Sequence, residues 1–453
     1  MFTIPEIIKA TKGKLVFAGC GRKVRGISID SRSLRPGDAF IAIKGDNFDG
    51  HDFIPHAIKN GASCIIKVRR AASRCLRTAS CIEVKDTIKA LGDIASFHRR
   101  RFNIPVIAVT GSNGKTTTKD MIAWVLSKRF KVLKNEGTKN NHIGLPMTLL
   151  NLNNSHDIAV LEIGTNHFGE VANLARITRP NIGVITNIGL SHLEFLRNLK
   201  GVMREKYTLI KNIQAPYLAL LNSDDNLLKR KIRKSSKRPF VVSFGIKARA
   251  DFSASDIRDN KESLSFVVND KYKFTLPTLG VYNIYNALAS TAIATLFGLG
   301  YKDIKERLSV FRFPLGRLNL LNLKNTLFID DTYNSNPLSL ACALDALFKF
   351  KVDGRRILVM GDMRELGKDQ RRLHIQAGRQ IAQVCDALIT VGELSGLAAK
   401  SARTCGFDAK NIFSCENSLQ ARDILFSKIS PDEKDIVLVK GSRAMKMEEV
   451  LRI

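Results

Sequence analysis

From Val106 onward the chain repeats one pattern: a short run of consecutive apolar residues, a turn residue, then a stretch with helical periodicity. IPVIAVTG, DIAVLEIG, NIGVIT, PYLALLN and FVVSFG, all between residues 104 and 245, are rich in Val, Ile and Leu and close on Gly, Asn or Thr. Unbroken apolar strands separated by helix-sized segments predict a mostly parallel sheet covered on both faces. Between residues 251 and 279 the rhythm changes, and SLSFVV and KYKFTL flank Asn269 and Asp270, predicting an antiparallel hairpin. A second series begins after Pro314, with TLFIDD, RILVMGD, DALITVG, NIFS and DIVLVKGS as strands and helices near 338–350, 369–384 and 418–426. Before Cys81, DAFIAI and SCIIKV surround a helix near 53–59. The predicted fold is α/β in three domains: a small mixed domain over 1–82, a central doubly wound sheet over 83–313, and a doubly wound, Rossmann-like domain over 314–453.

Composition agrees with several cored domains. The 453 residues are about three times the ~150 that one domain uses. At 44% hydrophobic and 25% charged, the chain has enough apolar surface to exclude disorder. No run of 18 apolar residues is present, so no membrane insertion is expected. Glu6, Lys9, Lys12 and Lys14 interrupt the first segment and leave no secretory core, which predicts a cytoplasmic protein. Cys20, Cys64, Cys75, Cys81, Cys342, Cys385, Cys405 and Cys415 lack CxxC pairing and read as reduced thiols. The formal charge of +30 leaves three partner classes open: nucleic acid, an anionic membrane surface, or substrates carrying phosphates and carboxylates. The excess is spread along the chain without a charged tail, and the dense run KRKIRKSSKR (229–238) reads as a solvated face.

The strongest chemical signal is TGSNGKTTTK (110–119), between a predicted strand and a predicted helix over 120–126. Gly111 and Gly114 let the backbone curl, so that N–H groups of the loop and the helix start face a phosphate chain. Lys115 supplies a point charge, and the Thr116 hydroxyl suits Mg²⁺. The loop is a shorter TGxxGKT variant, since Val109 stands where the generic phosphate loop has its first Gly. Gly111, Ser112, Asn113, Gly114, Lys115, Thr116 and Thr117 are the expected ATP contacts. Glu162 and His192 close or follow predicted strands at their carboxyl ends, where such sheets bind ligands, and each is a candidate to join Thr116 around magnesium.

At this point a resemblance becomes specific. TGSNGKTTTK, NNHIGLP (140–146), LEIGTNHFGE (161–170), NIGLSHLE (187–194) and GVMREKYTLI (201–210) resemble the central domain of the Mur ligases, cytosolic ATP-dependent amide ligases of peptidoglycan synthesis. IDDTYNSNP (329–337), VMGDMRELG (359–367), LVKGSRAMKME (438–448) and IDSRSLRPGDAFIAIKGDNFDGHDF (29–53) resemble those members that add D-alanyl-D-alanine to UDP-N-acetylmuramoyl-tripeptide. The resemblance implies a UDP-sugar domain, an ATP domain, and a C-terminal domain serving ATP and dipeptide. It implies two Mg²⁺ ions, contacted by Thr116, Glu162, His192 and a carbamylated Lys206. It implies ATP contacts by Asn283 and Asn286, with Tyr282 where the family often has His, and by Arg317 and Asp331. Tyr333, Asn334 and Asn336 would serve the dipeptide, and Ser31, Arg32, Lys44 and His51 the UDP-sugar. Lys115, Glu162, His192 and Lys206 are thus the expected catalytic set, in a monomer with no nucleic-acid partner.

Two alternatives fit the residues less well, one of a different class and one a sister ligase. A nucleic-acid-dependent ATPase would need basic and aromatic residues interleaved along a groove, yet aromatics are only 7%, and that reading leaves the C-terminal motifs unexplained. A sister ligase adding diaminopimelate or lysine, or a folylpolyglutamate-type ligase, shares the phosphate loop but not Tyr-Asn-Ser-Asn-Pro.

Overall fold

In the computed structural model, which describes residues 1–19, 23–69, 78–234, 239–260 and 263–452, the apolar runs become strands in the order their pattern suggests. The chain divides into two compact units, Met1–Val106 with Lys131–Gly164 and Ala172–Pro180, and Ile107–Phe130 with Thr165–Val171 and Asn181–Ile453.

The first unit holds a five-stranded sheet in the order Lys14–Phe17, Ser80–Val84, Cys64–Val68, Ala39–Ile41, Ile27–Ser28. Only the first pairing is antiparallel. The expected division after residue 82 falls inside the strand Ser80–Val84. The chain then enters the helix Thr87–Arg99, whose first turn is capped by the Asp86 carboxylate accepting from Lys89 N–H at 2.9 Å. Ala90, Leu91 and Ile94 of that helix share one core with Ile41, Ile66, Ile82 and Val84, so this helix belongs with the first sheet. Arg99 is buried at its end, and its guanidinium donates to the carbonyls of Thr178, Phe102 and Ile104. The unit also pairs Val132–Lys134 in parallel with Ile158–Glu162.

The second unit contains two sheets. In one, Val106–Thr110, Ile182–Ile185, Leu218–Asn222 and Phe240–Gly245 run parallel, each a continuous apolar stretch because both faces are covered. The predicted hairpin is present as Leu264–Val268 with Tyr272–Leu276. Three residues separate the paired Val268 and Tyr272, and within that turn Asn269 and Asp270 take φ +50° and +53°, the left-handed backbone that tight hairpin turns use and that Asn and Asp tolerate. The strand Phe252–Asp259, which joins this hairpin to the parallel strands, was missed because FSASDIRD carries too few apolar residues to show a period. The other sheet has six strands in the order Asn319–Leu323, Thr326–Asp331, Ile436–Lys440, Arg356–Gly361, Ala387–Val391, Ile412–Cys415, antiparallel only at its first edge. Helices Pro337–Lys349, Gln370–Ile381 and Ser418–Ile424 correspond to the predicted ones; Glu393–Thr404 was not predicted.

The helix Asn226–Lys234 turns Leu228 inward and leaves Arg230, Lys231 and Arg233 exposed, in keeping with a solvated basic face, while residues 235–238 of that run lie outside the described residues. Cys64, Cys81, Cys342, Cys385, Cys405 and Cys415 are unbridged; Cys20 and Cys75 lie outside the described residues. No helix among the described residues is long and apolar enough to cross a membrane.

Candidate active site

The buried strand Val106–Thr110 ends at Gly111, and the helix Lys115–Leu126 starts four residues later, earlier than expected. A Cβ on Gly111 would overlap the Thr186 hydroxyl, and one on Gly114, at φ +78°, would lie 2.6 Å from Asn286 Oδ1. Both positions therefore need glycine for space as well as for backbone freedom. Neighbouring strand ends fix the loop. Ser112 N–H donates to Asn187 O at 3.0 Å, Asn113 N–H to Asn187 Oδ1 at 3.0 Å, and the Thr186 hydroxyl to Asn113 O at 2.5 Å. The Ser112 hydroxyl bonds Gly189 and Ser191, so its role is internal. Lys115 Nζ lies 3.0 Å from Gly111 O and 3.3 Å from Ser112 O, which holds the ammonium over the loop at the start of a helix.

The C-terminal sheet reaches this loop. Arg317 Nη2 donates to the Thr116 hydroxyl at 3.3 Å while its guanidinium stacks 4.0 Å from the Tyr333 ring centre. Asn336 caps the helix Pro337–Lys349 and exchanges side-chain bonds with Asn113 at 2.7 and 3.3 Å. Asn334 is exposed. Asp331 is buried, with Lys440 Nζ at 2.5 Å, and that lysine also donates to Asn334 O. Burial raises the Asp331 carboxyl above its usual range even with Lys440 opposing. Asn283 and Asn286 are likewise buried. Asn286 accepts from the Thr118 hydroxyl and donates to Asn283, which donates to Leu279 O. They brace the phosphate-loop helix from behind, and Tyr282 beside them has its hydroxyl pushed far up by burial.

His192 stands at φ +52° before the short helix Leu193–Leu196, with Nδ1 2.5 Å from Glu365 Oε2. Burial drives the imidazole below its ordinary range; Lys206 and Lys115 add to this and Glu365 opposes it. The hydrogen bond from His192 lowers the Glu365 carboxyl. A neutral ring beside a carboxylate carries its proton on Nδ1, which leaves the Nε2 lone pair for a ligand. Lys206, in the helix Leu199–Lys211, is fully buried and not on a solvated face. Its neighbour Glu205 accepts from Gly169 and Val171 N–H at 2.9 Å each.

Glu162, in the first unit, is 1% exposed. Asn140 donates to its Oε1 at 2.6 Å, and Asn135 holds its backbone. Its Oε2 is buried without a hydrogen-bond partner among the described residues, as suits a metal-facing carboxylate. Asn140→Ala should leave that carboxylate stranded, lowering stability by about 1–3 kcal/mol in chemical denaturation.

Three family models match in succession: "Mur ligase family, catalytic domain" over residues 23–99, "Mur ligase middle domain" over 109–294, and "Mur ligase, glutamate ligase domain" over 316–443. The UDP-N-acetylmuramoyl-tripeptide–D-alanyl-D-alanine ligase of Bacillus subtilis is 32% identical over 99% of this chain and 97% of that protein. The chain belongs to the Mur ligase family. Among solved structures, a crystal structure of MurF from Acinetobacter baumannii superposes with a TM-score of 0.90 at 31% identity, covering 99% of this chain and 98% of that one. MurF from Thermotoga maritima, in complex with ADP, has a TM-score of 0.82 at 29% identity, covering 94% and 96%.

In this Mur ligase the residues expected near the UDP-sugar lie in the first unit. Ser31 is buried, its hydroxyl 2.9 Å from His56 Nδ1 and its carbonyl accepting from Asn60 at 2.8 Å. Arg32 is exposed and forked onto Asp30, whose carboxyl it pulls down to about 2. Lys44 and Asp49 pair through their backbones in an isolated antiparallel β-bridge, and His51 uses both ring nitrogens, Nδ1 with Asp49 at 2.6 Å and Nε2 accepting from Val68 N–H at 3.3 Å. His51 therefore staples the loop to the sheet. In the second unit, the GVMREKYTLI segment forms one wall of a cleft of about 620 Å³ through Arg204 and Thr208, with Phe168, Arg197 and Lys200 around it. Sequence reasoning assigned no role to Asn140, Glu365 or Lys440. Each stands inside a quoted motif, but none could be paired with its partner from spacing, since the partners lie 22, 173 and 109 positions away.

Proposed function

We propose that this Mur ligase joins D-alanyl-D-alanine to UDP-N-acetylmuramoyl-tripeptide at the expense of ATP, forming the UDP-sugar pentapeptide precursor of peptidoglycan. The observation that carries this is the 32% identity, over 99% of this chain, with the Bacillus subtilis ligase of that name, together with the glycine loop braced by Arg317 and Asn336. A carboxylate oxygen of the tripeptide attacks the γ-phosphorus, ADP leaves, and an acyl phosphate results. The dipeptide amine then attacks the acyl carbon, loses a proton, and expels phosphate. Lys115 offsets charge on the transferring phosphoryl group, and Arg317 adds a second cation beside Thr116.

From the resemblance, Thr116, Glu162 and His192 would each be a Mg²⁺ ligand, and the partnerless Glu162 oxygen suits that role. The two ions would supply charge neutralisation between the carboxylate and ATP. A carbamylated Lys206 would add an anionic ligand where the structure buries a lysine. Tyr333, Asn334 and Asn336 would face the dipeptide, while Ser31, Arg32, Lys44 and His51 would form the UDP-sugar end. The three-domain division of labour, monomeric state, absence of a nucleic-acid partner and cytoplasmic location complete the reading.

An ATP-turnover assay with the UDP-sugar tripeptide and a panel of amino acids and dipeptides tests it. Phosphate release should require D-alanyl-D-alanine. Turnover with diaminopimelate, lysine or glutamate in place of the dipeptide would reassign the enzyme to a sister activity.

A further inference from the structure

Glu365 lies in the turn after the strand Arg356–Gly361, 173 positions from His192, and the two side chains meet at 2.5 Å. The contact is built from both sides. His192, Arg197 and Glu365 all have positive φ, at +52°, +68° and +63°. Non-glycine residues adopt this backbone rarely, and persist in it where the surroundings over-determine the conformation. Asn198 N–H donates to Leu196 O at 2.8 Å across Arg197, closing a tight three-residue turn of the rarer hand directly after the His192 helix. Glu194 N–H donates to Glu365 O at 3.2 Å, so the two turns are joined through the backbone as well. Gly367, at φ +55°, comes so near that a Cβ there would lie 3.0 Å from Glu194 Cα.

We infer that Glu365 is a positioning residue for His192: its carboxylate takes the Nδ1–H, fixes one tautomer of the ring, and leaves Nε2 as the position open to a ligand. The inference rests on the ligase reading only for the role of that Nε2. A carboxylate behind a ligating imidazole orients the ring and raises its basicity. Because Glu365 follows a strand of the C-terminal sheet while His192 follows a strand of the central one, the imidazole is oriented only when the C-terminal turn is seated. Readiness of the ATP site is thereby coupled to the placement of the sheet that also supplies Arg317, Tyr333 and Asn336.

The test uses full-length protein with ¹⁵N-labelled histidine, His192→Gln identifying the His192 resonances. The wild type should show the Nδ1–H tautomer. Glu365→Gln should keep it, because the amide oxygen still accepts, while Glu365→Ala should shift the ring toward the Nε2–H form. In turnover, Glu365→Ala should raise the Mg²⁺ requirement or lower kcat by about 10- to 100-fold, with KM for the UDP-sugar peptide little changed and partial recovery in Glu365→Gln. An Nε2–H ring in the wild type overturns the inference, as does an alanine variant with unaltered tautomer and turnover. Failure of the ligase reading would appear separately, as wild-type protein without dipeptide-dependent turnover, and leaves the tautomer measurement decisive for the Glu365 contact.

Discussion

Lys115→Ala should lower phosphate release by about 10²- to 10³-fold or more, because one preorganised cation is withdrawn from the developing phosphoryl charge. The ammonium lies over the Gly111 and Ser112 carbonyls at 3.0 and 3.3 Å. Those bonds tie the lysine to the loop without holding the loop together. That work falls to Thr186, Asn187 and Gly189, which bond Ser112 and Asn113 independently of Lys115. The variant should therefore unfold at nearly the wild-type temperature, and a lysine-free loop retaining normal turnover would sink the phosphate-loop assignment. Phosphate release and thermal melting on the same preparation separate the two effects.

The second large effect is expected at Lys206. A side chain fully buried in the helix Leu199–Lys211 contributes to packing whatever its chemistry, so Lys206→Ala should cost about 2–4 kcal/mol from the cavity alone. If Lys206 is carbamylated, loss of its carboxylate-like end should lower turnover by about 10- to 100-fold as well. Added formate or acetate should then restore part of the activity, since a small carboxylate can occupy the vacated space. Stability should stay at the variant's own level during that rescue. Lys206→Met keeps most of the volume, and should separate packing from ligation by retaining stability while losing turnover. Undiminished turnover in the methionine variant would remove Lys206 from the catalytic set.

Much of the site was readable because its chemistry is local. Thr110 to Thr116 form a strand end, a turn and a helix start, and each step has a residue-level signature: apolar strand, glycines where no Cβ fits, Lys and Thr at the helix N-terminus. Glu162 and His192 were readable as strand-end groups. The partners of those residues were not. Asn140 holding Glu162, Glu365 holding His192 and Lys440 holding Asp331 are polar side chains in loops or at a strand end, where nothing in spacing tells which distant group they meet. Asn283 and Asn286 show the converse. They stand in the expected motif, yet each is buried and bonded to the scaffold behind the phosphate loop.

The sequence by itself determined the α/β class, the parallel sheets, the hairpin at Asn269 and Asp270, and the tight glycine loop between a strand and a helix at Gly111–Gly114, because each follows from apolar runs or from backbone freedom within a few residues. Only the tertiary structure decided that the helix Thr87–Arg99 belongs to the first core, that Lys206 is buried, and that His192 is oriented from the C-terminal sheet. Burial and pairing are properties of what packs against a residue, and here those neighbours come from segments far away in the chain.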